Sequence, residues 1–381
     1  MKLIYCIHSL YNPGGMERVL FNKVMWLGKH QPDWDITVVT TDQHSRATFY
    51  PFPEEVRLVD LGINYSDDNG RSPIGKIVGY LRKRRKHRKA LTTLLQREEA
   101  DLVISLFPSE SSFIPYIKDG SKKVLELHFN KLFRIQYNRK GLLGWIDRWR
   151  TRQDERLVRK FDKFVVLTHE DKELWGNLCN IEVIPNAAIF PDIKKHSDVS
   201  RHRVIAVGRL DYQKGFDRLI QAWEIVQRSQ KYSDWQLDIF GQGEWHDMLQ
   251  QMIEEKNLSQ TAYLNRPTNA IWDEYSRSSI LVMSSNYEGF GMVLVEAMAC
   301  SVPVVAFACQ CGPKDIIQNG VNGLLVKDGD IEGLANAMMR LMENEEERKA
   351  MGRNARRVTE TYSEASVMKR WMELFNSLTG K

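Results

Sequence analysis

The stretch SSNYEGFGMVLVEAM, residues 284–298, decides how the chain is read. An apolar run at 280–283 precedes it, a Gly289-Phe290-Gly291 turn breaks it, and residues 292–299 continue as a helical run. This is a strand, loop and helix unit. A helix N-terminus presents amide hydrogens without intrahelical partners together with the positive end of the dipole, which suits a phosphate better than a neutral ligand. Glu288 lies in the loop before that end, and Glu296 lies about five residues past Gly291, roughly 7 Å along the axis at 1.5 Å per residue. Its Cβ leans back toward the N-terminus. Two carboxylates so placed would accept hydrogen bonds from hydroxyls on either side of a bound diphosphate, which is the layout of a nucleotide sugar. An isolated pair of this kind is more often a solvated loop residue and a surface helix residue. The rest of the chain must decide between the two readings.

At 381 residues the chain is long for one core, and two domains are the expectation. An apolar content of 43%, with ten Trp and fifteen Phe, requires folded cores, and no run of about eighteen apolar residues exists to span a bilayer. The opening MKLIYCIH has no small-residue cleavage site and soon meets Pro13-Gly14-Gly15, so it reads as a first strand and not as a signal peptide. Five scattered cysteines indicate a reducing cytoplasm, with no disulfide framework and no zinc site. Charge is unevenly divided: residues 1–195 carry 33 Lys and Arg against 24 Asp and Glu, whereas the remainder carries 21 against 25. The two halves therefore meet different partners.

In the first half, an apolar run at 3–7 passes through Pro13-Gly14-Gly15 into a helical pattern at 16–27, the opening unit of a doubly wound α/β domain. Further strands are expected at 35–40, 56–61, 102–106, 124–127 and 164–167, that at 102–106 ending at a Pro108 loop, with a mobile polar loop at 63–75. His128, at the end of the 124–127 strand, falls on the edge where parallel sheets bind ligands, although a structural strand-end histidine is an equal reading. The helical pattern at 77–95 contains a run from Arg82 to Lys89 with seven Lys or Arg in eight positions. Such a run is ordinarily a solvated face, yet so dense a single-sign charge repels itself unless an anionic surface compensates. A second basic stretch, from Lys131 to Lys160, interleaves Arg134, Arg139, Lys140, Arg148, Arg150 and Arg152 with Phe133, Tyr137, Trp145 and Trp149. Basic residues with aromatics suit an anionic membrane surface or nucleic acid. No nucleic-acid motif accompanies them, so the membrane surface is preferred.

A polar linker is expected at 192–203, after which the alternation restarts. A strand at 204–207 leads into GRLDYQKG, residues 208–215, and a helix at 216–226; a strand at 236–240 leads into Gly241-Gln242-Gly243 and a helix at 245–253. Strands at 262–264, 280–283 and 304–306 complete a second doubly wound domain. Arg209 and Lys214 occupy a strand-to-helix turn that shares one sheet edge with the turn holding Glu288. Two cations, a helix N-terminus and two carboxylates are thus expected in one crevice.

These pieces together resemble the family 4 retaining glycosyltransferases of GT-B architecture. The resemblance rests on GGMERV (14–19), VIPNA (183–187), GRLDYQKGFDRLI (208–220), IFGQGEWHDML (239–249), EGFGMVLVEAMACSVPVVAF (288–307) and CGPKDIIQNGVNGLLV (311–326), and covers nearly the whole chain. It implies two Rossmann-like domains facing across a cleft. Residues 1–190 would bind acceptor, 191–362 would bind the nucleotide-sugar donor, and a final helix from about 363 to 381 would cross back to the first domain. It also implies roles: Arg209 and Lys214 on the donor diphosphate, Glu296 on the ribose, Glu288 on the transferred sugar, and amides around Gly291, Met292 and Val293 on the phosphates. Gly14 and Gly15 would approach from the other domain, and His128 matches the position of an active-site histidine in relatives. Ser301 and Asn265 depart from the pattern by standing where the family commonly has glycine.

The expected reaction moves a hexosyl or N-acetylhexosaminyl group from a nucleoside diphosphate sugar, by analogy UDP-linked, to a hydroxyl of a lipid-linked or polysaccharide acceptor, with retention at the anomeric carbon. No cofactor and no metal are expected, because protein cations neutralise the diphosphate. The expected location is cytoplasmic, peripheral on the inner face of the cell membrane through the two basic stretches, with no nucleic-acid partner. A sugar-nucleotide epimerase of similar fold and a basic nucleic-acid-binding protein are the rivals.

Overall fold

The computed structural model describes residues 1–68, 70, 72–106, 110–135, 140–191 and 196–380. Tyr137 and Arg139 of the second basic stretch, the Pro108 loop and the first part of the expected linker lie outside the described residues. Two compact units emerge: Met1–Leu167 with Lys172–Ile184 and Val367–Lys381, and Thr168–Asp171 with Pro185–Ser366. The chain passes to the second unit at Pro185, ahead of the polar segment read as a linker.

The first unit is built on β1 (Lys2–Cys6), β2 (Asp35–Thr40), β3 (Arg57–Asp60), β4 (Leu102–Ser105), β5 (Lys122–Glu126), β6 (Lys163–Val166) and β7 (Ile181–Val183). They form one parallel sheet in the order β3-β2-β1-β4-β5-β6-β7, with Leu3 beside both Ile36 and Leu102. Near-continuous apolar runs such as LIYC and LVIS are what a strand covered on both faces requires. The edge strand β3 is the exception, short and largely exposed, and its Arg57 pairs with Glu98 at 2.5 Å. Leu91 and Leu95 of the helix Pro73–Glu98 close the core over Ile4, Val103 and Leu125.

The second unit repeats the plan with β8 (Arg203–Val207), β9 (Gln236–Phe240), β10 (Ala262–Asn265), β11 (Ile280–Met283), β12 (Val304–Phe307) and β13 (Gly323–Val326), in the order β10-β9-β8-β11-β12-β13. All pairs are parallel. Strand order reverses between β1 and β4 in one sheet and between β8 and β11 in the other. Connections there leave in opposite directions and open a crevice at the carboxyl ends of the strands, which is where doubly wound sheets take ligands.

Several elements differ from the expectations. The helix expected at 77–95 begins at Pro73, because Ser72 Oγ accepts the Gly75 amide at 3.3 Å and proline suits the first turn. Residues 141–158, read only as a basic aromatic stretch, form the helix Gly141–Val158. The run from Arg82 to Lys89 is not one uniform face. Lys83 reaches Asp68 at 2.9 Å and the Asn64 carbonyl, Lys86 donates to the Gly62 carbonyl, Arg84 donates to Ser112 Oγ, and His87 points into the core. Self-repulsion within the run is therefore partly relieved inside the fold. Arg82, Arg85, Arg88 and Lys89 remain exposed. Among the described residues no helix is long and apolar enough to cross a membrane.

Candidate active site

The turn after β8 is fixed by its neighbours. The Gly208 amide donates to the Phe240 carbonyl at 3.0 Å and the Leu210 amide to the Gln242 carbonyl at 3.0 Å. A Cβ at Gly241 would stand 1.9 Å from the Gly208 oxygen, and one at Gly243 would stand 2.3 Å from the Leu210 oxygen. Only glycine allows the turns after β8 and β9 to touch, which gives Gly241-Gln242-Gly243 a steric cause. The turn after β11 is clamped to the turn after β8 in the same way. Asn286 donates its amide to the Gln213 carbonyl at 2.8 Å, Ser284 Oγ donates to the Lys214 carbonyl at 3.0 Å, and Arg218 donates to the Ser284 carbonyl at 2.6 Å.

Across that clamp the charges meet. Lys214 Nζ lies 2.6 Å from Glu288 Oε1, which also accepts from Ser285 Oγ at 2.7 Å. Glu288 is 5% exposed, and its amide donates to the Gln310 carbonyl at 3.0 Å. Arg209 is on the same turn as Lys214, but its guanidinium reaches into solvent, held by Gln213 Oε1 at 2.8 Å and Asp211 at 3.2 Å. Sequence reading expected the two cations to converge on phosphate; the structure pairs Lys214 with Glu288 and leaves Arg209 exposed on the same turn. A half-buried ammonium carries three donor hydrogens, so this one can bind an anion beside its glutamate or in place of it.

Gly291, at φ +95°, turns the chain into the helix Met292–Ala299, and among the described residues no side chain caps that end. The helix is apolar all round because it is enclosed by the helices Ile271–Ser276, Glu345–Ala355 and Val358–Tyr362. Glu296 sits on it, buried, accepting from Tyr275 OH at 3.1 Å. The loop carrying Cys311 and Gly312 presses on the same turn: a Cβ at Gly312, where φ is +109°, would stand 2.1 Å from the Phe290 oxygen. Ser301 adopts φ +63°, the left-handed region, which accounts for the glycine that the resemblance leads one to expect at that place. Sequence reading missed Ser285, Tyr275 and Arg218 as partners of the site. Ser285 was visible three residues before Glu288, whereas Tyr275 and Arg218 reach the site only through the fold.

In the first unit, Gly14 caps the helix Gly15–His30 in extended conformation, and the Glu17 carboxylate folds back over it, so that a Cβ there would meet Glu17 Oε2 at 2.1 Å. A Cβ at Gly15 would meet nothing within 4 Å. His128 follows β5, with Nε2 3.3 Å from Glu126 Oε1, and both oxygens of Glu126 accept from Lys23, at 2.6 and 2.7 Å. Burial alone would push the Glu126 carboxyl up, but the Lys23 ammonium and the His128 imidazole outweigh it and hold the carboxyl at about 2. Trp371, from the helix Glu364–Thr379, lies over the Lys23 ammonium at 3.5 Å from its ring centroid. The structure thus gathers Arg209, Lys214, Glu288, Gly291, Met292, Val293 and Glu296 in the second unit, and places Gly14, Gly15 and His128 in the first. Among the described residues no three His, Cys, Asp or Glu side chains converge as a metal site.

Comparison with known proteins bears on the whole arrangement. Residues 191–358 match the family model described as glycosyl transferases group 1. The amylovoran biosynthesis glycosyltransferase AmsD of Erwinia amylovora is 28% identical over 98% of this chain and 99% of its own length. An S. aureus TarM variant, solved with fondaparinux, alpha-GlcNAc-glycerol and UDP, superposes with a TM-score of 0.75 at 18% identity, covering 98% of this chain and 99% of that one. Sucrose-phosphate synthase from Thermosynechococcus elongatus superposes at 0.81 with 18% identity, covering 100% and 99%. At such identities the two structures speak for a shared fold.

Proposed function

We propose that this chain, a group 1 glycosyltransferase of the GT-B fold, moves a hexosyl or N-acetylhexosaminyl group from a UDP-sugar to a hydroxyl of a lipid-linked or polysaccharide acceptor in the synthesis of a surface glycan. One observation carries the assignment of the donor site: the Lys214–Glu288 pair at 2.6 Å, on two crossed turns beside an uncapped helix N-terminus. Donor diphosphate entering there exchanges the glutamate for its own oxygens as the partner of Lys214. The released Glu288 carboxylate is then available to sugar hydroxyls, and Arg209 swings from Gln213 onto the phosphates. The Met292 and Val293 amides complete the anion site. Glu296 accepts from the ribose hydroxyls.

In the reaction the bond from the anomeric carbon to the diphosphate oxygen breaks, and the acceptor oxygen forms its bond on the same face. The departing diphosphate oxygen takes the acceptor proton while Lys214 and Arg209 stabilise its charge. Retention is carried by the resemblance of the motifs at 208–220 and 288–307 to those of the retaining family. Those cations and amides meet the diphosphate charge, so no metal takes part. His128, beside Glu126 in the first unit, is the histidine of this reading. The basic helices of that unit hold the protein on the cytoplasmic face of an anionic membrane. A donor panel by calorimetry, UDP against GDP and then sugar against sugar, followed by anomeric analysis of the product, tests the reading. An epimerase would interconvert a nucleotide sugar without acceptor, and that result would overturn it.

A further inference from the structure

A second concave site lies in the first unit, away from the residues given to the donor. It is a cavity of roughly 640 Å³ between the helices Pro73–Glu98 and Gly141–Val158 and residues 111–116. Arg134, Arg150, Arg156 and Lys160 line it, and Asp154 is the carboxylate set among them. Asp154 lies 3.2 Å from Arg134, and the side chains of the pair are only 14% and 18% exposed. Burial pushes the Asp154 carboxyl up to about 6, against the pull of Arg134 and Arg150, and burial also lowers Arg134. The lining carries four cations against one carboxylate, with Asp147 also acting on Arg134, so the cavity keeps an excess positive charge; Arg134 is half-buried and Arg150, Arg156 and Lys160 are exposed. Its natural complement is a multiply charged anion with oxygens in the geometry of a guanidinium fork. Ser112 Oγ, which also lines the cavity, accepts from Arg84 at 3.1 Å.

The surroundings narrow the ligand further. Positions 145, 149, 153 and 157 stand at successive intervals of four on the helix Gly141–Val158 and share one side of it. Gln153 and Leu157 line the cavity, while Trp145 and Trp149 continue the row outward, 58% and 47% exposed. The facing helix behaves alike. Tyr80 lines the cavity, and the neighbouring Ile77 and Leu81 are exposed. Two apolar rows therefore lead away from one basic cavity, which is a layout for a phosphate group carrying a long hydrocarbon chain.

We propose that this cavity binds the phosphate or diphosphate of a polyprenyl-linked acceptor, with the isoprenoid chain running out along Trp145 and Trp149 on one side and Ile77 and Leu81 on the other. The inference rests on the reading that the first unit receives the acceptor, and it names the class of acceptor. It also accounts for the volume, which is larger than a phosphate alone fills.

Calorimetry on the full chain tests it, with farnesyl diphosphate, farnesol and inorganic pyrophosphate as probes at one fixed salt concentration. Farnesyl diphosphate should bind at least tenfold tighter than either fragment. The Arg150→Ala, Lys160→Ala double variant should weaken it at least tenfold, and Trp149→Ala should weaken farnesyl diphosphate while leaving pyrophosphate unchanged. UDP titrated into the same samples should bind all variants alike, which shows that they are folded and that the donor site is separate. Equal binding to wild type and double variant overturns the proposal. So do farnesol as tight as its diphosphate, oligonucleotide binding in place of farnesyl diphosphate binding, and attachment to anionic vesicles by a protein that ignores farnesyl diphosphate in solution. Farnesyl diphosphate binding as described, in a chain that transfers no sugar, would sink the proposed reaction and leave the site standing.

Discussion

Lys214 and Glu288, 74 positions apart in the sequence, share one short ion pair at 2.6 Å where the turns after β8 and β11 cross. The pair ties the two turns together and occupies the place proposed for the donor diphosphate. Its two roles separate experimentally.

Lys214→Ala should lower kcat about 10²- to 10³-fold with saturating donor, about 3 to 4 kcal/mol, as removal of one preorganised group usually does. It should also lower thermal stability, because a buried carboxylate loses its partner. The double variant Lys214→Met, Glu288→Gln removes both charges and should regain much of the stability while remaining inactive. Steady-state kinetics beside thermal denaturation reads both effects, and near-normal turnover in either variant would sink the assignment.

Glycines of similar appearance should behave oppositely. Gly241→Ala forces a Cβ to 1.9 Å from the Gly208 oxygen, so the turn carrying Arg209 and Lys214 must move, and both donor affinity and stability should fall. Gly15→Ala meets nothing within 4 Å and lies at a helix start, so denaturant midpoints should change by less than about 0.5 kcal/mol. Any loss of turnover in Gly15→Ala then reports the approach of a ligand to that backbone.

The buried Lys23–Glu126 pair supports His128, and Glu126→Gln should cost about 3 to 5 kcal/mol by leaving the ammonium without its charged partner. The Glu126 carboxyl sits at about 2 against an ordinary 4.5, so its contribution is complete above pH 4.5 and is lost as the pH falls toward 2. Acid denaturation of wild type and variant should converge at the bottom of that window. Convergence already at pH 6 would contradict the pairing.

His87 is buried beside Phe113 and Tyr65, and burial lowers its imidazole from 6.5 to about 4. A depressed histidine contributes stability above its unfolded value and loses it as the pH falls. The protein should thus lose about 3 kcal/mol between pH 6.5 and 4. His87→Leu should flatten that slope in chemical denaturation followed across pH.

Turnover should survive EDTA. Restoration by magnesium of an EDTA-abolished activity would refute the metal-independent mechanism, since Lys214, Arg209 and the amides at Met292 and Val293 would then be insufficient for the departing charge.

Both sheets were legible in the sequence because their central strands are covered on both faces and read as unbroken apolar runs, as at 280–283 and 304–307. The turn glycines were legible for a related reason: Gly215, Gly241, Gly243 and Gly291 mark close backbone contacts or left-handed angles that favour glycine. The helix Gly141–Val158 was not, because its arginines and tryptophans interrupt the apolar period. Partners were the least legible layer. Nothing local joins Tyr275 to Glu296 or Lys23 to Glu126, and in the run from Arg82 to Lys89 the helical turn alone decides which side chains meet carbonyls and which meet water.

The first unit is discontinuous, and Trp371 closes over Lys23 only after the entire second sheet has passed through the chain. During synthesis the second unit can therefore fold while the first still lacks its final helix. The Lys23–Glu126 pair then waits uncovered beside His128, and that part of the first unit matures last. A nascent chain halted at residue 366 should show a protease-resistant second unit beside a first unit that is still cleaved.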